Sequence, residues 1–162
     1  MNPFVQLGLV AEIAATYLGF IAVFIVFSRD DGRFAESDKH FVQGLVVTAT
    51  SAIVFALLPR VLVNFYPDKL VWNYSLLSML IIGTIVTAYQ AWSQFVMSEE
   101  EAKKVHWGWH FVGWAIAVAM MLLVVAGVVR LLPTTGAYVA AVTSLILVSI
   151  WTFIAIVFRK FF

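Results

Sequence analysis

The chain has 162 residues, 63% of them hydrophobic and 12% charged, whereas a water-soluble domain is about 45–50% apolar and about 25% charged. A soluble globule of this composition would expose large sticky patches, so the composition points to a membrane protein. The net charge of +1 offers no clustered basic face for nucleic acid, and the absence of cysteine excludes disulfides, thiolate-bound zinc and iron–sulfur clusters.

A helix that crosses a hydrocarbon core about 30 Å thick needs about 20 mostly apolar residues. Five stretches qualify, at about 4–27, 41–62, 70–97, 107–129 and 137–158. All are expected to be helical, because lipid offers backbone groups no hydrogen-bond partner and a helix satisfies them internally. The predicted fold is an all-α integral membrane bundle of five transmembrane helices in one domain, 1–162. Met1-Asn2-Pro3-Phe4 carries no Lys or Arg ahead of the apolar run. It therefore lacks the positive start of a cleaved signal peptide, and the first span is expected to be retained.

Lipid tails do not drive apolar faces together, so small and polar residues mark helix contacts. In the first span Gly8, Glu12, Ala15 and Gly19 recur at i, i+4, i+7 and i+11, with Thr16 beside them. That spacing is one helix face, predicted to meet protein rather than lipid. The following loop holds Asp31-Gly32, a turn signal, and Ser37 or Asp38 as a candidate cap for the second span. The second span aligns Gly44, Thr48 and Ser51 and closes at Pro59; Pro67 and Pro133 fall in connections. The third aligns Asn73, Thr84, Thr87, Ala91 and Gln94, with Gln90 at the edge. Ser98 with Glu99, Glu100 and Glu101, then Lys103 and Lys104 one turn on, reads as a short amphipathic turn on the membrane surface. The fourth span aligns His106, His110, Gly113 and Ala117, and the fifth Ala137, Ala141, Ser144, Thr152 and Ala155. These stripes read as packing seams. A sharper reading makes some of them the lining of a narrow wet path, with Thr87, Gln90 and Gln94 the best placed, because a long amide in lipid must find partners or water.

Basic residues set orientation. Seven lie in the 28–40 loop, the 98–106 loop and the C-terminal tail; three (Arg60, Lys69 and Arg130) lie in the other set of connections. This bias predicts the N-terminus outside and the C-terminus in the cytoplasm. Trp72, Trp92, Trp107, Trp109 and Tyr66 gather toward span ends, where amphipathic rings meet the headgroups.

The stretch AEIAATYLGF with its Glu12 and Gly19-Phe20, the loop DGRFAESDKHF, and the Leu58-Pro59 ending of ALLP resemble a loose set of small, uncharacterised bacterial multi-spanning membrane proteins. The resemblance covers about the first 60 residues and Trp72. It implies a bacterial inner membrane and carries no activity.

Glu12 is the one acid set within a span, about 12 Å along the helix from Phe4 at 1.5 Å per residue. A charge at the centre of a span is unfavourable by about 2.5–3.5 kcal/mol on insertion scales. One reading makes Glu12 an ion-handling site together with Thr87, Gln90 and Gln94; the other makes it a structural partner of Arg60, Arg130 or Asn73. His106 and His110, spaced i, i+4, with His40 and Glu36 nearby in the topology, are the candidate metal ligands; the competing reading is interface histidines. Haem bound by His106 and His110 together is disfavoured, because axial ligands approach iron from opposite sides. No phosphate loop, nucleophile elbow or HExxH helix occurs, so no enzymatic activity and no cofactor beyond that histidine metal is expected. The functional expectation is an oligomeric channel for small ions. The alternatives are a non-catalytic accessory subunit of a larger membrane complex and a histidine-bound metal or haem protein. Expected partners are the bilayer, further copies of the chain, or that larger complex, and not nucleic acid.

Overall fold

A computed structural model describes residues 2–27, 36–96 and 107–161, with side chains except those of 26–27, 36–41, 93–95, 107–110 and 158–161. Within that range the chain forms five helices: α1 (Pro3–Phe27), α2 (Glu36–Leu62), α3 (Asp68–Phe95), α4 (Trp107–Val128) and α5 (Thr134–Phe161). All five are long and apolar enough to cross a membrane, in agreement with the spans expected from sequence to within a few residues at each end. The segment around 98–106 and the Asp31-Gly32 turn lie outside the described residues. Helix α2 is already under way at Glu36, so Ser37 and Asp38 fall in its first turn rather than at its cap.

The helix ends follow from local chemistry. Asn2 caps α1: its Oδ1 accepts from Phe4 N at 2.9 Å and its carbonyl accepts from Val5 N, while Pro3 occupies the first helical position, where its missing N–H is harmless. At the end of α2 the Asn64 side chain donates to the carbonyls of Arg60 and Val61. Helix α4 closes with Leu131 N donating to Ala126 O at 2.8 Å and Arg130 N to Gly127 O at 3.2 Å. This is a Schellman ending, with Arg130 at φ 62° in the left-handed position that glycine ordinarily fills. Helices α3 and α5 each begin directly after a proline, Pro67 and Pro133, whose carbonyls accept from Val71 N and Ala137 N.

Helix α5 is the hub, packing on α1, α2, α3 and α4; α2 also packs on α1 and α3, and α3 on α4. Helices α1 and α4 are peripheral. We call the end where α1, α3 and α5 begin the proximal end and the other the distal end. One buried cluster, including Leu7, Ala14, Phe55, Leu76, Val124, Tyr138 and Leu145, fills the proximal half. A second, around Ile21, Leu45 and Ile156, fills the distal half. There Phe153 of α5 meets Tyr17, Phe20 and Phe24 of α1 edge-on, with ring centroids 5.0–5.9 Å apart, a geometry aromatic quadrupoles favour.

Polar groups tie this packing together. The Tyr138 hydroxyl donates to the Phe55 carbonyl. Phe55 is four residues before Pro59, and a proline has no N–H to give its i−4 carbonyl. The α5 tyrosine thus supplies the bond that α2 cannot make for itself. Deeper in the bundle, Thr48 and Ser149 hydroxyls lie 2.7 Å apart and Tyr17 Oη donates to the Ser149 carbonyl at 3.1 Å, joining α1, α2 and α5. Other hydroxyls bond back to their own helix, as Thr84 does to Leu80 O and Thr152 to Val148 O.

Candidate functional site

Helix α1 is apolar on nearly every side, and the side it buries runs through Leu7, Val10, Ala11, Ala14 and Ile21. This corrects the expectation that the Gly8–Glu12–Ala15–Gly19 stripe packs inward. Gly8 is half-buried, whereas Glu12, Ala15, Thr16 and Gly19 are exposed on the outward side. Among the described residues no atom of another part of the chain comes within 4 Å of the place a Gly19 Cβ would occupy. The physical reason is that Leu7, Ala14 and Ile21 interlock with α2 and α5, and in lipid an apolar face gains as much from close packing as a small one. Thr16 Oγ1 donates to the Glu12 carbonyl at 2.9 Å. Among the described residues nothing bonds to the Glu12 carboxyl.

Arg60 reaches α1. Its Nη2 donates to the Phe4 carbonyl at 2.9 Å and lies 2.6 Å from where a Gly8 Cβ would stand. The guanidinium therefore covers Gly8, one turn from Glu12 on the same face, yet no ion pair within 4.0 Å joins the two. Arg130 and Asn73 lie elsewhere, both lining an open proximal groove between the starts of α3 and α5.

The polar residues of α3 sit apart from Glu12 in both element and depth. Thr87 and Gln90 are half-buried in the distal half of α3. The Gln90 amide nitrogen lies 3.9 Å from the Cβ position of Gly44 on α2, and Gln43 Nε2 approaches Tyr89 Oη at 3.4 Å. This is a seam between α2 and α3. The side chain of Gln94, those of His40 and His110, and all of His106 lie outside the described residues. Among the described residues no group of three His, Cys, Asp or Glu is placed to hold a metal.

Three arrangements were not anticipated from sequence: the Tyr138–Phe55 bond, the Thr48–Ser149–Tyr17 cluster and the proximal groove. Pro59 inside a span is a signal for the first, since it frees a carbonyl that something must satisfy. Two helices that both start after proline with polar residues following, Pro67-Asp68-Lys69 and Pro133-Thr134-Thr135, are a signal for the third.

Comparison with family models, curated proteins and solved structures finds no match to this chain.

Proposed function

We propose that the chain forms a homo-oligomeric conductance for small ions in a bacterial inner membrane, N-terminus outside, with copies meeting along the outward face of α1 and Glu12 as the ion-handling carboxyl. The observation that carries this reading is Glu12 itself, exposed on the protomer, its carboxyl bonded to nothing among the described residues. A carboxyl facing hydrocarbon alone is unfavourable, and a neighbouring subunit would give it a polar or wet surrounding. The adjacent Ala15, Thr16 and Gly19 would let a second helix approach closely. Buried side chains fill both halves of the protomer, so a path fits better between subunits than within one. Ion chemistry then rests on Glu12, while Thr87 and Gln90, set against α2, support the wall.

The test combines mass in detergent with flux in liposomes. A stable homo-oligomer that conducts, and loses conductance in Glu12→Gln while keeping its mass, is the expected result. A monomer that conducts nothing and co-purifies with another membrane protein would replace this reading with that of an accessory subunit, whose partner helix would cover the same α1 face.

A further inference from the structure

Of the three basic residues in the proximal connections, Arg60 is engaged by the Phe4 carbonyl. The other two, Lys69 in the first turn of α3 and Arg130 just past the end of α4, line one open groove of about 800 Å³. Trp72 and Asn73 of α3, and Thr134 and Thr135 of α5, complete its polar and aromatic lining, with Asp68 at the rim. Among the described residues none of these charged, amide or hydroxyl groups makes a side-chain hydrogen bond or ion pair. Six polar side chains thus line one space without bonding one another, with Asp68, Lys69 and Arg130 exposed and Asn73, Thr134 and Thr135 half-buried.

The backbone adds to this. Proline stands at the cap position of both α3 and α5, so neither helix has a capping side chain to accept from its first-turn N–H groups. Both helix starts open on the groove, and each favours negative charge. Arg130 is held at φ 62°, a conformation unfavourable for an arginine, at the groove's edge. With Lys69, Arg130 and Asp68 the groove carries one net positive charge.

We propose that this groove binds a phosphate-bearing anion, its phosphoryl oxygens taken by Lys69 and Arg130 and its remaining polar part by Asn73, Thr134 and Thr135. A phosphodiester carries one negative charge and matches the groove's balance. The source is either an anionic lipid headgroup, since the groove lies at the end of helices long enough to cross a membrane, or a soluble phosphate ester. This proposal is independent of oligomerisation and of Glu12.

The experiment follows thermal unfolding of the purified full chain in neutral detergent during titration with phosphatidylglycerol, phosphatidylcholine, glycerol phosphate or inorganic phosphate. The expected result is a saturable stabilisation by phosphatidylglycerol that phosphatidylcholine does not give. The half-saturating concentration should rise about tenfold or more in the pair Lys69→Gln with Arg130→Asn, asparagine being tolerant of the left-handed backbone. Asp68→Asn, which removes an acid from the groove, should lower that concentration, and this arm stands even where the double variant folds poorly. Equal stabilisation by glycerol phosphate or inorganic phosphate supports the site and assigns it a soluble ligand. No saturable stabilisation by any of the phosphates, equal stabilisation by phosphatidylcholine, or no response to the Lys69, Arg130 and Asp68 substitutions overturns the proposal.

Discussion

Arg130 shows how much a single residue can hold against its own preference. The left-handed conformation disfavours any side chain with a Cβ by about 1–2 kcal/mol, and glycine occupies it freely. Arg130→Gly should therefore raise the stability of the unliganded protein by about 1 kcal/mol, read as a higher unfolding midpoint in detergent. An unchanged or lower midpoint would mean that the Arg130 side chain makes a compensating contact. A variant that stabilises the fold while stripping a cation from the groove fits the tendency of backbone strain to gather where a side chain is needed for something else.

At the scale of the helix, the Pro59 device is the sharpest test. Tyr138→Phe should destabilise by about 1–2 kcal/mol, because it leaves the Phe55 carbonyl without a donor. In a Pro59→Ala background the same change should have a smaller effect, because residue 59 then supplies its own N–H. A double-mutant cycle in urea or heat measures the difference, and equal losses in both backgrounds would show that the two residues act independently. Gly127 offers a second test. An added Cβ would stand 2.7 Å from Ala137 Cβ and 3.0 Å from Leu76 Cδ1, where α3, α4 and α5 meet. Gly127→Ala should therefore cost about 1–3 kcal/mol by forcing the helices apart. The five helices were legible from length and apolar content, because a spanning helix is fixed by membrane thickness. Which side of a helix faces inward was legible in part for α5, where Ala137, Ala141 and Ala155 of the expected stripe are buried, while Ser144 and Thr152 are half-buried and bond back to their own helix. It was not legible for α1. There Leu7 and Ala14 are buried while Leu9 and Ile13 are exposed, and both surroundings are apolar, so composition carries no sign of direction. The charge of Glu12 was conspicuous in the sequence, but its outward placement depends on which α1 residues interlock with α2 and α5.

For the molecule as a whole, the peripheral position of α1 sets what assembly can change. Tyr17, Ser149 and Thr48 join α1 to both central helices inside the bundle, and the Phe153 ring packs against the same stretch of α1. Thr48→Val should lower stability by roughly 0.6 kcal/mol and at most about 1.7 kcal/mol, the range of interhelical hydrogen bonds in lipid. The outward side of the same helix carries Glu12 and Gly19, both exposed, and among the described residues nothing lies within 4 Å of where a Gly19 Cβ would stand. Gly19→Leu places its Cβ in open space among the described residues and should not lower the unfolding midpoint of the protomer, since a mid-helix glycine is itself unfavourable, yet it should reduce the mass of the assembly in detergent. A retained oligomer would move the subunit contact away from α1. The groove was legible only in part, because Lys69 and Arg130 are 61 positions apart in sequence and meet only once α3 and α5 start side by side.

The bond between Tyr138 and the Phe55 carbonyl also bears on how the protein is made. Its donor lies 83 residues after its acceptor, an interval of roughly 4–17 s at ribosomal elongation rates of about 5–20 residues per second. Throughout that delay the proline-broken turn of α2 lacks its native closure, so the early helices should remain a loose, protease-sensitive hairpin. Nascent chains arrested before residue 134 should be cleaved within α2 by a membrane-accessible protease, and all 162 residues held on the ribosome through an added C-terminal linker should resist it.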